Sequence, residues 1–275
     1  MPGKLLIVGT PIGNLSDLSP RAVEALKSAD LILCEDTRHT RKLLTHFGIK
    51  GDVHSFHEHN EDDKSEHIIE TVAGGKTVAL VSDAGMPVIS DPGFRLVRLA
   101  RERKLPVEPI PGPFAGIVAL VASGIAPLPF TFFGFTPHRA GERKEFYRRI
   151  KAVGQTAIVY ESPERATESL DDALEILGDV EVTVAREMTK MHEEFVSGSV
   201  SEVLAELKKR GAVRGEITLV FAAAQKQPQK YSAEEVAREF ERLRDGGMRR
   251  NDAVKAVAEK FGLRKNEVYK SLLGE

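Results

Sequence analysis

The stretch from Thr77 to Gly93 constrains the fold most, because it joins a buried strand to a loop that carries many polar groups. Thr77–Val81 has no charge and predicts a buried parallel strand, and Phe94–Ala100 has the spacing of a helix. The loop between them holds two carboxylates, hydroxyls and Gly and Pro corners. Open α/β sheets bind ligands in such loops, at the carboxyl ends of their strands. Taken alone, the loop could equally be an ordinary strand–helix turn.

Three other predicted strands end in loops of the same kind. They are Lys4–Val8, Asp30–Cys34 and Pro106–Ile110, followed by polar or Gly/Pro-rich loops at 9–17, 35–41 and 111–116. Because the carboxyl ends of parallel strands share one edge of a sheet, the four loops are expected to assemble one site. No loop contains GxGxxG or GxxxxGKS/T, which argues against a Rossmann dinucleotide fold and a P-loop NTPase.

The charged cluster at 35–41 has two interpretations. Its ionisable side chains follow a strand end and could shift one another's pKa values, as groups in active sites do. The cluster could instead be a helix N-terminus, with Thr37 as the cap and a basic face on Arg38–Phe47. Elsewhere, Ser19 and Pro20 predict the N-cap and first residue of another helix.

The histidine-rich segment at 57–63 invites comparison with a metal site. His57 and His59 do not have the HExxH spacing, and an HxH pair in a charged loop is usually solvated. We therefore expect no metal, and we interpret the segment as a polar loop that overhangs the site.

The second half of the chain predicts a mixed sheet. Its strands are expected at Phe130–Phe135, Thr156–Tyr160, Val180–Ala185 and Ile217–Ala222. A basic stretch at 138–151 lies between the first two strands. It is either a solvated helix face or a patch that contacts phosphates, in which case the RNA-binding residues are Arg139, Arg143, Lys144, Arg148 and Arg149.

The C-terminal region predicts a linker and three short helices. Residues 225–230 have linker composition, and helices are expected over 233–243, 249–261 and 264–273. This spacing is typical of a small helix-turn-helix bundle, although a plain packing appendage would show the same pattern. We divide the chain into α/β domains at 1–111 and 112–225 and a helical, RNA-contacting domain at 231–275.

Composition narrows the functional classes. The net charge of −2 argues against non-specific coating of nucleic acid, so any such contact needs a local patch. The single cysteine, Cys34, excludes an internal disulfide and is expected to be buried. The N-terminal apolar run is short for a signal peptide, and no stretch is long enough for a membrane span. A cytoplasmic protein without a membrane partner is predicted.

Several motifs, taken together, indicate a family. They are TPIGNL at 10–15, EDTR at 35–38, SDAGMPVISDPG at 82–93, PGPF at 111–114 and AREMTK at 185–190. With them the chain resembles, over essentially its whole length, the tetrapyrrole-methylase superfamily and its ribosomal RNA small subunit methyltransferase I branch. Met86 and Phe114 depart from that branch, in which Thr and a small residue are common at these positions.

The resemblance implies two α/β domains with a cleft between them, S-adenosylmethionine in that cleft, and a homodimer. It also implies methyl transfer to the ribose 2′-oxygen of one cytidine in the decoding region of 16S ribosomal RNA, within the 30S small subunit. Matched by motif, the cofactor contacts would be Ile12, Asp83, Gly85, Met86, Pro87, Ile89, Pro113, Phe114, Tyr160 and Thr218. The lack of phosphate loops agrees with a cofactor that has no phosphate and whose cationic groups suit Asp83.

A ribose hydroxyl is a poor nucleophile, so the implied reaction is expected to need a nearby base or cation. The candidate catalytic residues are Glu35, Asp36, Arg38, Glu187 and Lys190. A carboxylate would act as the base, and Arg38 or Lys190 would contact an RNA phosphate or the developing alkoxide.

Two other functions stay open at the level of sequence. A tetrapyrrole C-methyltransferase acting on a porphyrin or corrin would share the fold, but it would need neither the basic stretch nor the C-terminal helices. A DNA-binding regulator could use those helices in a groove, with the cleft as a sensor for a small ligand. Both account for less of the chain than an RNA methyltransferase, which needs a cofactor pocket together with positive patches.

Overall fold

The computed structural model describes residues 3–211, 214–224, 233–261, 263 and 265–273. The chain divides into two units, Met1–Ala224 and Gln225–Glu275. The predicted linker at 225–230 and the start of the predicted helical domain at 231 lie outside the described residues. The division of the larger unit after residue 111 stays a prediction. Among the described residues, no helix combines the length and the apolar character that a membrane span needs.

The first sheet is parallel throughout and brings the four predicted loops to one edge. Its strands are β1 (Leu5–Val8), β2 (Leu31–Cys34), β3 (Val53–Ser55), β4 (Val78–Val81) and β5 (Val107–Ile110), in the order β3-β2-β4-β1-β5. The expected common edge is confirmed, because β1, β2, β4 and β5 all end there. The sequence analysis missed β3, whose three residues include a histidine and form no apolar run.

Helices cover both faces of this sheet. They are α1 (Pro20–Ser28) and α2 (Thr37–His46) on one face, and α3 (Glu58–Ala73) and α4 (Phe94–Glu102) on the other. Along β4, Ala79 and Val81 belong to the core under α1 and α2, whereas Val78 and Leu80 belong to the core under α3 and α4. Because successive side chains of a strand point to opposite faces, burial on both faces gives the continuous apolar run seen in the sequence.

The starts of the helices agree with prediction at α1 and differ at α2. The Ser19 hydroxyl accepts a hydrogen bond from the Ala22 N–H at 3.1 Å, as an N-cap should. Helix α2 is capped by Asp36 rather than by Thr37. The reason is that the Asp36 carboxylate accepts a hydrogen bond from the Arg38 N–H at 2.7 Å.

The prediction of a polar loop at 57–63 is wrong, since α3 begins at Glu58. The Asn60 side chain accepts a hydrogen bond from the His57 N–H at 2.9 Å and caps the first turn. Glu58 and Glu61 lie in the same turn, where the helix dipole favours negative charge. Charge density that looked like a solvated loop therefore marks the start of a helix.

The second sheet is mixed, as predicted. Its strands are β6 (Phe130–Phe135), β7 (Thr156–Glu161), β8 (Glu181–Arg186), β9 (Glu194–Ser199) and β10 (Ile217–Phe221), in the order β6-β7-β10-β8-β9. The β6–β7 pair is parallel and the other pairs are antiparallel. The sequence analysis missed β9.

Helices also cover both faces of the second sheet. On one face α6 (Ala140–Val153), α7 (Ala166–Leu177) and α8 (Val200–Arg210) share a core with it. On the other face α5 (Ala115–Ser123) packs through Ala119 and Leu120 against Ile158 of β7 and Val220 of β10. Helix α5 thus connects the edge of the first sheet directly to the centre of the second.

The smaller unit contains the three predicted helices. They are α9 (Ala233–Asp245), α10 (Arg250–Phe261) and α11 (Lys265–Leu273). Their common core is built from Val236, Phe240, Val254, Val257 and Val268. The apolar spacing seen in the sequence therefore gives this unit a core of its own.

Candidate active site

A cavity of about 390 Å³ lies where loops of the first sheet meet β7 and β10 of the second, and we call it the first cavity. Its volume is in the range of small-molecule sites. Eight of the ten predicted cofactor-binding residues line it, namely Ile12, Asp83, Gly85, Met86, Ile89, Phe114, Tyr160 and Thr218. Of the other two, Pro87 is buried within its loop, and Pro113 turns its carbonyl oxygen towards Gly85.

Gly85 holds the loop after β4 against the loop after β1. Its N–H donates to the Thr10 carbonyl at 3.1 Å, and the Thr10 N–H donates to the Gly85 carbonyl at 2.9 Å. Gly85 has a φ of 84°, and a Cβ added there would lie 3.2 Å from the Pro113 carbonyl oxygen. Glycine is therefore required both by the left-handed backbone and by the close approach of the third loop.

The rest of this loop is held in a strained conformation. Val88 has a φ of 78° and Ser90 a φ of 66°, and such angles cost about 1–3 kcal/mol each in residues other than glycine. The end of the loop is fixed by Glu61 of α3, whose carboxylate accepts hydrogen bonds from the N–H groups of Gly93 at 3.1 Å and Arg95 at 2.9 Å. Glu61, at the start of α3, thus fixes the end of the loop that lines the first cavity.

One wall of the first cavity is aromatic. The Tyr160 ring meets the Phe132 ring at 4.9 Å and the Phe135 ring at 5.2 Å, both edge to face. The Phe114 ring lies 5.0 Å from Phe132 and extends the wall. The Tyr160 hydroxyl accepts a hydrogen bond from the Gly116 N–H at 3.3 Å, and burial raises the pKa of Tyr160 to about 12. Such a wall suits a flat, apolar ring system.

The first cavity also carries acidic groups. Asp83 and Asp91 both line the first cavity, and the Asp83 carboxylate accepts a hydrogen bond from the Asp36 N–H at 3.2 Å. Burial, with the negative charges of Glu35 and Asp83 nearby, raises the pKa of Asp91 to about 7. Sequence reasoning did not select Asp91 as a site residue, although it is the second carboxylate of the loop after β4.

Asp36 and Arg38 form an ion pair. The Arg38 guanidinium contacts the Asp36 carboxylate at 3.0 Å, while its side chain stays 86% exposed. Hydrogen bonds from Arg38 lower the pKa of Asp36 to about 2. A carboxylate with so low a pKa is a weak proton acceptor, so Asp36 is better suited to capping α2 than to acting as a base.

A second cavity of about 270 Å³ lies beside the first and shares part of its wall. The predicted catalytic residue Lys190 lines the second cavity together with Leu15, His39 and Lys42. The Lys190 amine contacts Glu187 at 2.8 Å and Glu216 at 3.1 Å, and the contact with Lys190 lowers the pKa of Glu187. Of the predicted catalytic residues, Lys190 and Glu187 therefore lie together in one loop, and the other three lie at the end of β2 and the start of α2.

Ser162 is another residue of the first cavity that sequence reasoning missed. Its hydroxyl oxygen is buried and has no hydrogen-bond partner among the described residues. A buried hydroxyl without a partner is costly, so it calls for a ligand or water that supplies one. Its position directly after β7, at a strand end, was only a weak signal in the sequence.

The basic helix α6 requires a correction to the predicted RNA-binding patch. Arg143 is only 4% exposed, and its Nε donates to the Asp172 carboxylate at 2.6 Å. Lys144 contacts Glu175 at 2.6 Å, and Tyr147 is fully buried. The Arg143 guanidinium is neutralised inside the fold, so it cannot present its charge to a phosphate.

The remaining predicted RNA-binding residues, Arg139, Arg148 and Arg149, are exposed on α6 or at its start. Arg139 contacts Glu142 at 3.2 Å and Arg148 contacts Glu145 at 2.9 Å. Much of the positive charge of this stretch is therefore compensated locally.

The described residues offer neither a grouped metal site nor an exposed thiol. In the part of the chain that the structure describes, no three His, Cys, Asp or Glu side chains are grouped to hold a metal ion. Cys34 is buried, as predicted, and this burial raises the pKa of its thiol.

Comparison with known proteins gives a consistent result. The family model for tetrapyrrole (corrin/porphyrin) methylases matches residues 4–204. Ribosomal RNA small subunit methyltransferase I of Bacillus subtilis is 40% identical over 272 residues, which cover 97% of this chain and 93% of that protein. The protein of the same name from Streptococcus pyogenes serotype M3 is 41% identical over 269 residues, with the same coverage.

A shorter relative is also informative. Ribosomal RNA small subunit methyltransferase I of Thermotoga maritima is 46% identical over 220 residues, which cover 98% of that protein but 80% of this chain. A protein of that name therefore has no counterpart to about a fifth of this chain.

Solved structures share the fold at low identity. Uroporphyrin-III-C-methyltransferase from Thermus thermophilus aligns with a TM-score of 0.55 at 20% identity, over 81% of this chain and 95% of that one. A diphthine synthase aligns with a TM-score of 0.62 at 16% identity, over 80% of this chain and 90% of that one. At these identities the likeness concerns the fold alone.

Proposed function

The chain belongs to the tetrapyrrole methylase family and to its ribosomal RNA small subunit methyltransferase I branch, and from this premise we propose that it methylates small-subunit ribosomal RNA with S-adenosylmethionine. The observation that carries the proposal is the first cavity, whose lining combines aromatic rings with the carboxylates of Asp83 and Asp91. Phosphate-binding loops are not needed for this cofactor.

The residues of the first cavity fit S-adenosylmethionine. The rings of Phe114 and Tyr160 would flank its adenine, and Asp83 would balance its cationic groups. The buried Ser162 hydroxyl would gain the hydrogen-bond partner that it lacks among the described residues. When bound, the cofactor supplies a methyl group activated by its sulfonium sulfur.

The acidic groups would supply the base. Asp91 is the first candidate for this role, because it lies near Asp83, which lines both cavities, and a pKa of about 7 would let its carboxylate take a proton near neutral pH from a ribose hydroxyl. Glu35 lies close enough to raise that pKa, and we retain it as the second candidate. Lys190, held by Glu187, would stabilise the oxygen as its proton leaves, and Arg38 would contact a phosphate.

The finer assignments follow the branch. The acceptor is the 2′-oxygen of one cytidine in the decoding region of 16S ribosomal RNA, within the 30S subunit, and the enzyme works in the cytoplasm as a homodimer. In support of a protein contact, the apolar side chains of Val121 and Leu128 are 74% and 79% exposed.

A tetrapyrrole C-methyltransferase is the competing function within the same fold. The solved structure of such an enzyme is 20% identical to this chain, and the likeness concerns the fold. Members of the ribosomal RNA branch match nearly the whole chain at about twice that identity. The ribosomal RNA function is therefore favoured.

The test is transfer of labelled methyl from S-adenosylmethionine to small ribosomal subunits, naked 16S RNA and a tetrapyrrole mixture in parallel. Label at a ribose 2′-oxygen of the subunit or the RNA is expected. Label on the tetrapyrrole alone would keep the fold and the cofactor and reject the proposed substrate.

A further inference from the structure

We propose that the outer face of α2 and the second cavity together bind the acceptor strand of the RNA. The helix holds the backbone phosphates, and the second cavity takes the single nucleotide that is methylated. This inference rests on the proposed function and names the surface that its substrate contacts.

The position of the second cavity carries the first part of the argument. Ile12, Asp83 and Glu216 line both cavities, so a nucleotide in the second cavity lies against the wall of the first. A methyl transfer needs donor and acceptor side by side, and two adjoining cavities provide that arrangement.

The charge on α2 carries the second part. No acidic residue occurs within Thr37–His46, and Arg41 and Lys42 are exposed. Among the described residues, no carboxylate lies within 4.0 Å of the side-chain nitrogens of these two cations. Uncompensated cations on a helix surface are suited to binding phosphates, because no carboxylate of the protein neutralises their charge.

Lys42 connects the helix to the second cavity. Its side chain lines that cavity, and it also borders an open depression on α2 formed with Arg38, Arg41 and His46. Lys42 therefore places an uncompensated positive charge where the surface of α2 meets the second cavity, whereas Lys190 of that cavity is paired with Glu187 and Glu216.

The size and lining of the second cavity indicate one unpaired nucleotide. At about 270 Å³ it lies just below the range for drug-sized ligands, which is small for a tetrapyrrole macrocycle. Leu15, which is 40% exposed, and the His39 ring offer apolar and flat surfaces on which a base can pack. RNA is read in this way when a base leaves its stack.

The first test removes the two uncompensated cations. Arg41→Ala combined with Lys42→Ala is expected to raise the KM for small ribosomal subunits about tenfold, with kcat and cofactor affinity within twofold of wild type. Each lost phosphate contact lowers the slope of log affinity against log salt by about 0.7–0.9, so the pair should lower it by about 1.5. Subunits from cells that lack this methylation serve as substrate, and cofactor affinity is measured by calorimetry.

Two further double variants show whether the effect is specific to α2. Lys208→Ala with Lys209→Ala removes two consecutive cations of α8 and should leave the KM within twofold. Arg148→Ala with Arg149→Ala tests the rival surface on α6. The inference is overturned if the α6 pair changes the KM and the salt slope while the α2 pair does not. If the wild type transfers nothing to subunits or RNA, the proposed function itself fails, whatever the variants do.

The second test fills the second cavity from its rim. Leu15→Trp should lower kcat/KM for subunits at least tenfold with unchanged cofactor affinity, because the larger ring occupies the space for the nucleotide. Leu15→Ala removes the surface on which the base packs but does not fill the space, so its loss in kcat/KM should be clearly smaller than that of Leu15→Trp. Equal activity of Leu15→Trp and wild type would refute the assignment of the second cavity.

Discussion

Helices α2 and α6 are both rich in Arg and Lys, but their cations have different surroundings. In α6, Arg143 is buried against Asp172, and Arg148 contacts Glu145 in its own helix. In α2, Arg41 and Lys42 are exposed and have no carboxylate partner among the described residues. The comparison teaches that a basic stretch in a sequence is not by itself evidence of an RNA surface, because the fold can compensate its charge, as it does for Arg143 and Arg148.

The largest effect is expected from Asp91→Asn, which would separate the binding role of α2 from proton transfer. The variant should lose about 10²-fold or more in kcat, since a general base contributes on that order, while the KM for subunits changes little. In wild type, kcat/KM should fall as pH drops through about 7, because the Asp91 carboxyl becomes protonated. The measurement is the pH–rate profile, which should lose this inflection in Asp91→Asn.

Stability provides the control for Asp91→Asn. A pKa raised to about 7 means that the folded state favours the protonated Asp91 carboxyl. The stability that this protonated form contributes is fully present below pH 4 and is lost as pH rises through about 7. The variant should therefore gain stability over wild type between pH 4 and pH 8, by on the order of 1 kcal/mol after discounting for solvent. Equal pH–rate profiles in the two proteins would return the role of base to Glu35.

The next largest effect concerns α6. Arg143→Ala should lower the free energy of unfolding by about 3 kcal/mol, because it leaves the nearly buried carboxylate of Asp172 with only the more distant Lys144 amine, at 3.9 Å, as a charged partner. Urea unfolding measures this, and Arg139→Ala, which removes an exposed cation, should stay within about 0.5 kcal/mol. A small loss in Arg143→Ala accompanied by a large rise in the KM for RNA would reverse the comparison of the two helices.

The smallest effect concerns the start of α2. Asp36→Ala removes the N-cap and should lower the Tm by about 2–4 °C. The pKa of Asp36 is lowered to about 2, so its contribution is present above pH 4 and is lost as pH falls through about 2. Thermal unfolding of wild type and variant should therefore converge at low pH. Asp36→Ser keeps a cap and should retain most of the stability near pH 7.

Much of the fold was visible in the sequence, because buried parallel strands form uncharged runs such as Val78–Val81. Ser19 and Pro20 fixed the start of α1 for a local reason that sequence also shows. The start of α3 was missed because its acidic residues resemble a solvated loop until their helix dipole is considered. Local chemistry was thus read correctly at the start of α1 and misread at the starts of α2 and α3.

The site was less predictable where it depends on distant partners. Arg143 looked like a surface cation because its partner, Asp172, lies 29 residues away on α7, a helix that the sequence did not indicate. Asp91 was passed over because its burial and its proximity to Glu35 arise only when β2 and β4 pair. A motif lists the residues of a loop, but the tertiary fold decides which of them change their pKa.

The backbone of the loop after β4 has a consequence for how fast a ligand can enter. Val88 and Ser90 are held at positive φ, Gly85 is tied to Thr10, and Glu61 fixes the far end of the loop. The loop loses its conformational entropy when the protein folds and is already ordered before a ligand arrives. Association with a ligand therefore need not wait for the loop to form. Cofactor binding should then be a single-step process whose observed rate rises linearly with cofactor concentration.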